Sequence, residues 1–196
     1  MTSAESRATL KTLIATAQVC GLHHHPEIDE QSRILIKSAD QEKRMLHRKE
    51  IESICTQSGT NQEASALIIS EAEHYVDHCK QTLQTQQAHL FEEGGALHPT
   101  ERSEACWRDC WNFLRLASYA MASDTPECTD ASGIQAVRQL YALMNVPAAG
   151  MTLALQTLSQ LVTNDLLQRD HQHEALCLEK AFSHLNSELH KGLAKS

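Results

Sequence analysis

Apolar positions recur every three to four residues along almost the whole chain, and the polar stretches between them are short. That period marks amphipathic helix rather than strand. Leu10, Leu13, Ile14 and Ala17 set a weak stripe over residues 4–20, and His23-His24-His25-Pro26 breaks it, because the residue before a proline is pushed out of the helical region. A second helix is predicted from Asp29 through Ile34, Leu35 and Ala39 to Arg44. A third covers His47 to about Gln57 and ends at the Ser58-Gly59-Thr60-Asn61 break. Glu63 to about Leu90 reads as one long helix with Ala66, Ile69, Ala72, Val76, Cys79 and Leu83 facing inwards. Glu92 to Thr100, with a double glycine and a proline, is a loop, and Thr100, Ser103 and Glu104 can cap a helix over about 101–122. Beyond the loop that starts at Ser123, Ile134, Val137, Leu140, Tyr141 and Met144 mark a helix ending near Asn145. Pro147 opens another through Met151, Leu155, Leu158 and Leu161. The last runs from Glu174 to about Leu193 with Leu176, Ala181, Leu185 and Leu189 as its core face. No stretch reads as strand, so the class is all-α, with about eight helices in globin-like packing or a bundle.

Composition agrees with that pattern: 7 Gly and 4 Pro in 196 residues leave few interruptions. The length suits one domain at 27–196 preceded by an N-terminal extension helix and linker over residues 1–26. A formal net charge of -8 speaks against non-specific nucleic-acid binding, which needs a basic surface. No apolar run reaches the length of a membrane span, and the first 22 residues lack a secretory core, so a cytoplasmic, not membrane-spanning protein is expected. Seven cysteines without an export signal read as reduced thiols.

The chemically unusual residues gather between Glu104 and Ala120. Cys106, Asp109, Cys110 and Phe113 fall at i, i+3, i+4 and i+7 and therefore share one helical face. Cys106 lies near a helix start, where the macrodipole favours a thiolate, and Arg102 and Arg108 add positive charge. That is equipment for a covalently held, polyanionic ligand bearing N–H groups. The same residues also fit two small core hydrophobes, or a Cys106–Cys110 pair that forms a disulfide or binds a metal with His98 as a further ligand. His74 with His78, and His171 with His173, read as exposed polar positions rather than ligand pairs. The three consecutive histidines read as solvated linker, since helical neighbours diverge too far to share an ion. There is no phosphate-cradling glycine loop, zinc-protease helix or nucleophile elbow, so no enzyme is expected.

Gly94-Gly95, then Ala105-Cys106-Trp107-Arg108-Asp109 and Leu114-Arg115 with Tyr119-Ala120, resembles the chromophore helix of phycobiliproteins, most of all the β-type subunits of phycocyanin and allophycocyanin. Leu140-Tyr141 to Val146-Pro147 is similar to that family's Tyr-x-x-Leu-Gly-Val-Pro turn. Ser38-Ala39-Asp40 and Met45-Leu46 resemble its N-terminal hairpin, and the likeness covers about residues 33–193. The resemblance implies a globin-like phycobiliprotein fold with an N-terminal helical hairpin, and a phycocyanobilin-like linear tetrapyrrole (a bilin) in thioether linkage to Cys106. Asp109 would hold the inner pyrrole N–H groups and Arg108 a propionate. Arg102 keeps one of two family arginines; Glu101 replaces the other. His98 stands where the family has tyrosine, Ala96 where it has a methylated asparagine, and Asn145 where it has glycine. Asp40, Arg115 and Tyr119 match positions that join two subunits, implying a homodimer or pairing with another phycobiliprotein subunit, and phycobilisome components as partners at the cytoplasmic face of the thylakoid membrane. The implied function is light absorption and energy transfer. The alternative is a divergent member without stable pigment that acts in phycobilisome assembly, regulation or turnover.

Overall fold

A computed structural model describes residues 3–191 of the chain, with side chains from Thr9 onward. Among these residues there are nine α-helices and no strand. The predicted ends of the last helix at Leu193 and of the domain at 196 lie outside the described residues, as do Met1 and Thr2.

The central element is α6 (Thr100–Ala122), in which every residue from Phe113 to Ala122 is buried. A helix enclosed on all sides cannot be amphipathic over that stretch. Its Ala117, Ser118, Ala120 and Ala122 keep it slim enough for several neighbours to approach. Those neighbours are α3 (Arg48–Ser58), α4 (Gln62–Ser70), α5 (Ala72–Gln86), α8 (Ala148–Gln168) and α9 (Gln172–His190). Helix starts are fixed by side chains that the sequence supplies in place. Asp29 accepts from Ser32 N–H at 3.0 Å to open α2 (Glu30–Gln41), Asn61 accepts from Glu63 and Ala64 ahead of α4, and Asp130 accepts from Gly133 at 2.7 Å to open α7 (Ala131–Leu143). Gly59 closes α3 in the left-handed region at φ 77°.

The predicted helix from Glu63 to Leu90 is instead two, divided at Glu71, with a 3₁₀ turn at Ala88–Leu90. The single-residue break shifts the phase. The buried face of α4 is Ala64, Ser65 and Ile68, whereas Ala66 is exposed and Ile69 half-buried. After the break, Ala72, Tyr75, Cys79 and Leu83 face inwards, and the Tyr75 hydroxyl donates to Asp165 on α8 at 2.6 Å. Tyr75 is thus a core residue between two exposed histidines rather than part of an outer face. In α9 the core face includes Ala181, Leu185 and Leu189, but Leu176 is out of phase with them and 50% exposed.

The N-terminal segment departs most from expectation. Helix α1 (Ser3–Thr16) stops four residues short of the predicted end, because Val19 to Gly21 run alongside residues 128–130 instead. Asp130 N–H donates to the Val19 carbonyl at 2.7 Å and Gly21 N–H to the Cys128 carbonyl at 2.8 Å. Two glycines permit this approach. A Cβ on Gly21 would lie 2.5 Å from the Thr129 carbonyl oxygen, and one on Gly133 would lie 1.8 Å from that of Gln18. The histidines that follow are not freely solvated: Leu22 is fully buried, His23 and His25 are half-buried, and burial lowers the His23 pKa. The extension is therefore seated on the body, with α1 against α7.

Candidate functional site

A cavity of about 400 Å³ opens along α6, within the size range of small-molecule sites. From α6 it is lined by Arg102, Cys106, Asp109, Asn112, Phe113 and Leu116, a stripe at helical spacing. At 1.5 Å per residue, the stripe runs about 21 Å. The opposite wall is α7, through Val137, Leu140 and Tyr141, with Met144 just past its end. The sequence pattern put these four on one face but gave no sign that the face borders a cavity.

Cys106 is nearly buried, with 7% of its surface exposed, and borders the cavity. Cys110, one turn on, does not border it. Hydrogen bonding to the Cys106 and Cys79 thiols, together with burial, pushes its pKa well above the ordinary thiol value. The two cysteines, which share one helical face, are thus in different chemical positions.

Asp109 accepts a hydrogen bond from the Tyr141 hydroxyl at 2.7 Å. Burial raises the Asp109 pKa, and neither that hydrogen bond nor the charge of Arg108 fully offsets it. Burial, then the neighbouring carboxyl, pushes the Tyr141 phenol up as well, so it remains the donor. A carboxyl that ionises less readily in the fold than in the unfolded chain favours folding while protonated. Its contribution is lost as pH rises from the ordinary carboxylate value through the raised one. Asp109→Asn should accordingly match the wild type in stability near about pH 3 and exceed it at neutral pH. Urea unfolding of the pigment-free chain across that range reads the difference; a constant offset at every pH would contradict it.

Of the residues singled out in sequence, Arg102, Cys106 and Asp109 meet at this cavity, whereas Arg108 and His98 are exposed and lie outside its lining. Arg102 ties two loops together, donating to the Ala96 carbonyl at 2.6 Å and the Met144 carbonyl at 2.6 Å. Trp107 turns away from the cavity and stacks on Phe91 at 5.8 Å.

Asp40, Arg115 and Tyr119 are all buried within this one chain. Arg115 Nη1 lies 2.8 Å from Asp40 Oδ1 and donates to the Tyr119 hydroxyl at 2.9 Å. The Tyr119 hydroxyl in turn donates to the Arg44 carbonyl. Arg44 is held by a two-pronged pair with Glu50, at 2.7 and 2.9 Å. Residues expected to face a second subunit therefore fasten α2 and the start of α3 onto α6 of their own chain. Asp40 and Arg115 also border the far end of the cavity. Their pairing spans 75 positions of sequence, a separation that no local pattern reveals.

Comparison with known proteins places this geometry among relatives. The family profile described as Phycobilisome protein matches residues 34–189. The phycobiliprotein beta chain of Mastigocladus laminosus is 30% identical over 135 residues, covering 67% of this chain and 80% of that one. The allophycocyanin subunit beta-18 of Nostoc sp. strain PCC 7120 is 29% identical over 158 residues, covering 79% and 93%. Among solved structures, a far-red fluorescent biliprotein derived from a far-red induced allophycocyanin F subunit of the thermophilic cyanobacterium Chroococcidiopsis thermalis superposes with a TM-score of 0.59 at 20% identity, covering 65% of this chain and 93% of that one. That likeness concerns the fold: the all-α, globin-like arrangement is common to both.

Proposed function

This chain belongs to the phycobilisome protein family, and on that premise we propose that it is a bilin-carrying protein with a linear tetrapyrrole attached at Cys106. The family is one of pigment proteins that associate with one another in phycobilisomes, and a general light-harvesting role follows from membership. The observation that carries the specific reading is that Cys106, Asp109 and Tyr141 border one elongated cavity along α6.

The residues present fit such a group. The thiol of Cys106 reaches the cavity wall, as an attachment point must. Asp109 uses one oxygen on Tyr141 and has a second to accept ring N–H donors; such donors would stabilise its charge, which burial disfavours. Phe113, Leu116, Val137 and Leu140 supply apolar walls for the planar rings. Arg102 borders the cavity mouth and gives a cation for an acidic side arm, a role the exposed Arg108 could share by reaching in from the rim. When bound, a bilin supplies visible-light absorption, and the protein's part is to attach it, extend it and restrict its motion. The family is one of pigment proteins, and we read this member as a non-enzyme.

Further parts of the reading concern place and partners. We expect action on the cytoplasmic side of the thylakoid membrane, in company with another phycobiliprotein subunit or a second copy. Among the described residues no helix is long and apolar enough to cross a membrane. The exposure of Arg108 and His98 favours a second reading, a pigment-free member serving phycobilisome assembly or turnover. Mass spectrometry of the Cys106 peptide, from chain made in a host producing phycocyanobilin, decides between the two. Added tetrapyrrole mass on that peptide supports the first; an unmodified peptide with a colourless protein sinks it.

A further inference from the structure

The wall that faces α6 across the cavity is not built by the family-like part of the chain alone. Leu10, Ile14 and Ala17 of the N-terminal segment border it, together with Val19 and Cys20. All five precede residue 34, where the family match begins. Their position is fixed by a built attachment. The Val19 and Gly21 backbone is bonded to residues 128–130, Lys43 Nζ donates to Gln18 Oε1 at 3.2 Å, and Gly133 leaves space for the Gln18 carbonyl. Leu10 is only half-buried, and Ile14 leaves 59% of its surface exposed at the cavity mouth. Two branched aliphatic side chains on the lining of a cavity with apolar walls offer a flat ligand dispersion contacts.

We propose that Leu10, Ile14 and Ala17 are ligand-contacting residues. On this view α1 is a wall of the pigment site that presses a linear tetrapyrrole flat against the Cys106–Leu116 stripe of α6. The inference deepens the pigment reading above, which supplies the ligand's identity. It assigns the N-terminal segment a positioning role: attachment belongs to Cys106, while confinement of the conjugated rings belongs to α1. A conjugated chain held flat loses less excitation to torsion, so emission reports confinement and added mass reports attachment.

The test compares the full-length wild type, the double variant Leu10→Glu/Ile14→Glu, and Lys11→Glu. Lys11 is exposed on the same helix and does not border the cavity, which makes it the matched control. In pigment-free protein the probe is Nile red, a flat uncharged dye. We expect its affinity to fall about tenfold in the double variant and to stay unchanged in the control. In chain carrying pigment, emission per attached pigment should fall at least about threefold in the double variant with the Cys106 peptide still modified. Trypsin should cleave wild type after Lys11 at least about fivefold more slowly with pigment than without. An unmodified Cys106 peptide in the wild type overturns the pigment reading and leaves the dye titration to decide the role of α1. Equal dye affinity in all three chains, or no uptake by wild type, overturns the wall itself. So does unchanged emission together with unchanged cleavage after Lys11.

Discussion

Arg115→Ala is expected to lower the stability of the chain by about 3–5 kcal/mol, the usual consequence of stranding one partner of a buried ion pair. Both members are nearly enclosed, with side-chain exposures of 4% for Arg115 and 9% for Asp40. Truncation removes the hydrogen-bonded cation 2.8 Å from Asp40 and leaves the Tyr119 hydroxyl without its nearest donor. Lys43, 3.5 Å from Asp40, compensates only in part because it is half exposed and already shared with Gln18. For a chain of this size the loss corresponds to a fall of roughly 6–20 °C in Tm. Concentration dependence tells an intrachain role from an intersubunit one. If Arg115 acts within its own chain, the loss is the same at every protein concentration; at a subunit contact it would shrink on dilution as the wild type dissociates. Urea unfolding at two concentrations well apart, with sedimentation to record the mass, makes the measurement. A variant as stable as wild type when dilute would show that the pairing seen within the chain contributes nothing.

Cys106→Ala should abolish covalent pigment, reducing the band on a denaturing gel by at least about twentyfold, while Cys110→Ala keeps it. The contrast follows from surroundings rather than from spacing. Cys106 borders the cavity. Cys110 is enclosed, and the neighbouring Cys106 and Cys79 thiols together with burial push its pKa well above the ordinary value, which keeps it protonated and poorly nucleophilic at neutral pH. Pigment retained by Cys106→Ala on another cysteine would contradict the assignment. Colour that is retained but lost on denaturation would mean that the cavity holds pigment without a bond.

The stripe on α6 was legible because helical geometry alone fixes which residues share a face, and Cys106, Asp109 and Phe113 needed nothing more. Their common cavity was legible only through resemblance, since Tyr141 reaches Asp109 from 32 positions away. The division at Glu71 was hidden because Ser70-Glu71-Ala72 carries neither glycine nor proline, and a one-residue shift of phase still leaves apolar residues at nearly helical spacing. Arg108 lies outside the cavity lining for a related reason: adjacent helical residues point about 100° apart, so a neighbour of Asp109 in sequence need not share its cavity. Asp40 and Arg115 entered as two positions of a subunit contact, and within the chain they pair with each other. Whether two such residues meet within a chain or across a boundary depends on how α2 folds back, and no short-range pattern carries that.

The close approach permitted by Gly21 and Gly133 has a bearing on how the cavity responds to dilution. A wall furnished by a second molecule is present only while that molecule remains bound, and its occupancy falls with concentration. A wall tethered through residues 17–22 to residues 128–130 and the start of α7 faces the cavity at an effective concentration on the order of millimolar, whatever the concentration in solution. The two glycines thereby make closure of the site a first-order process. A single chain, alone and dilute, keeps this wall in place.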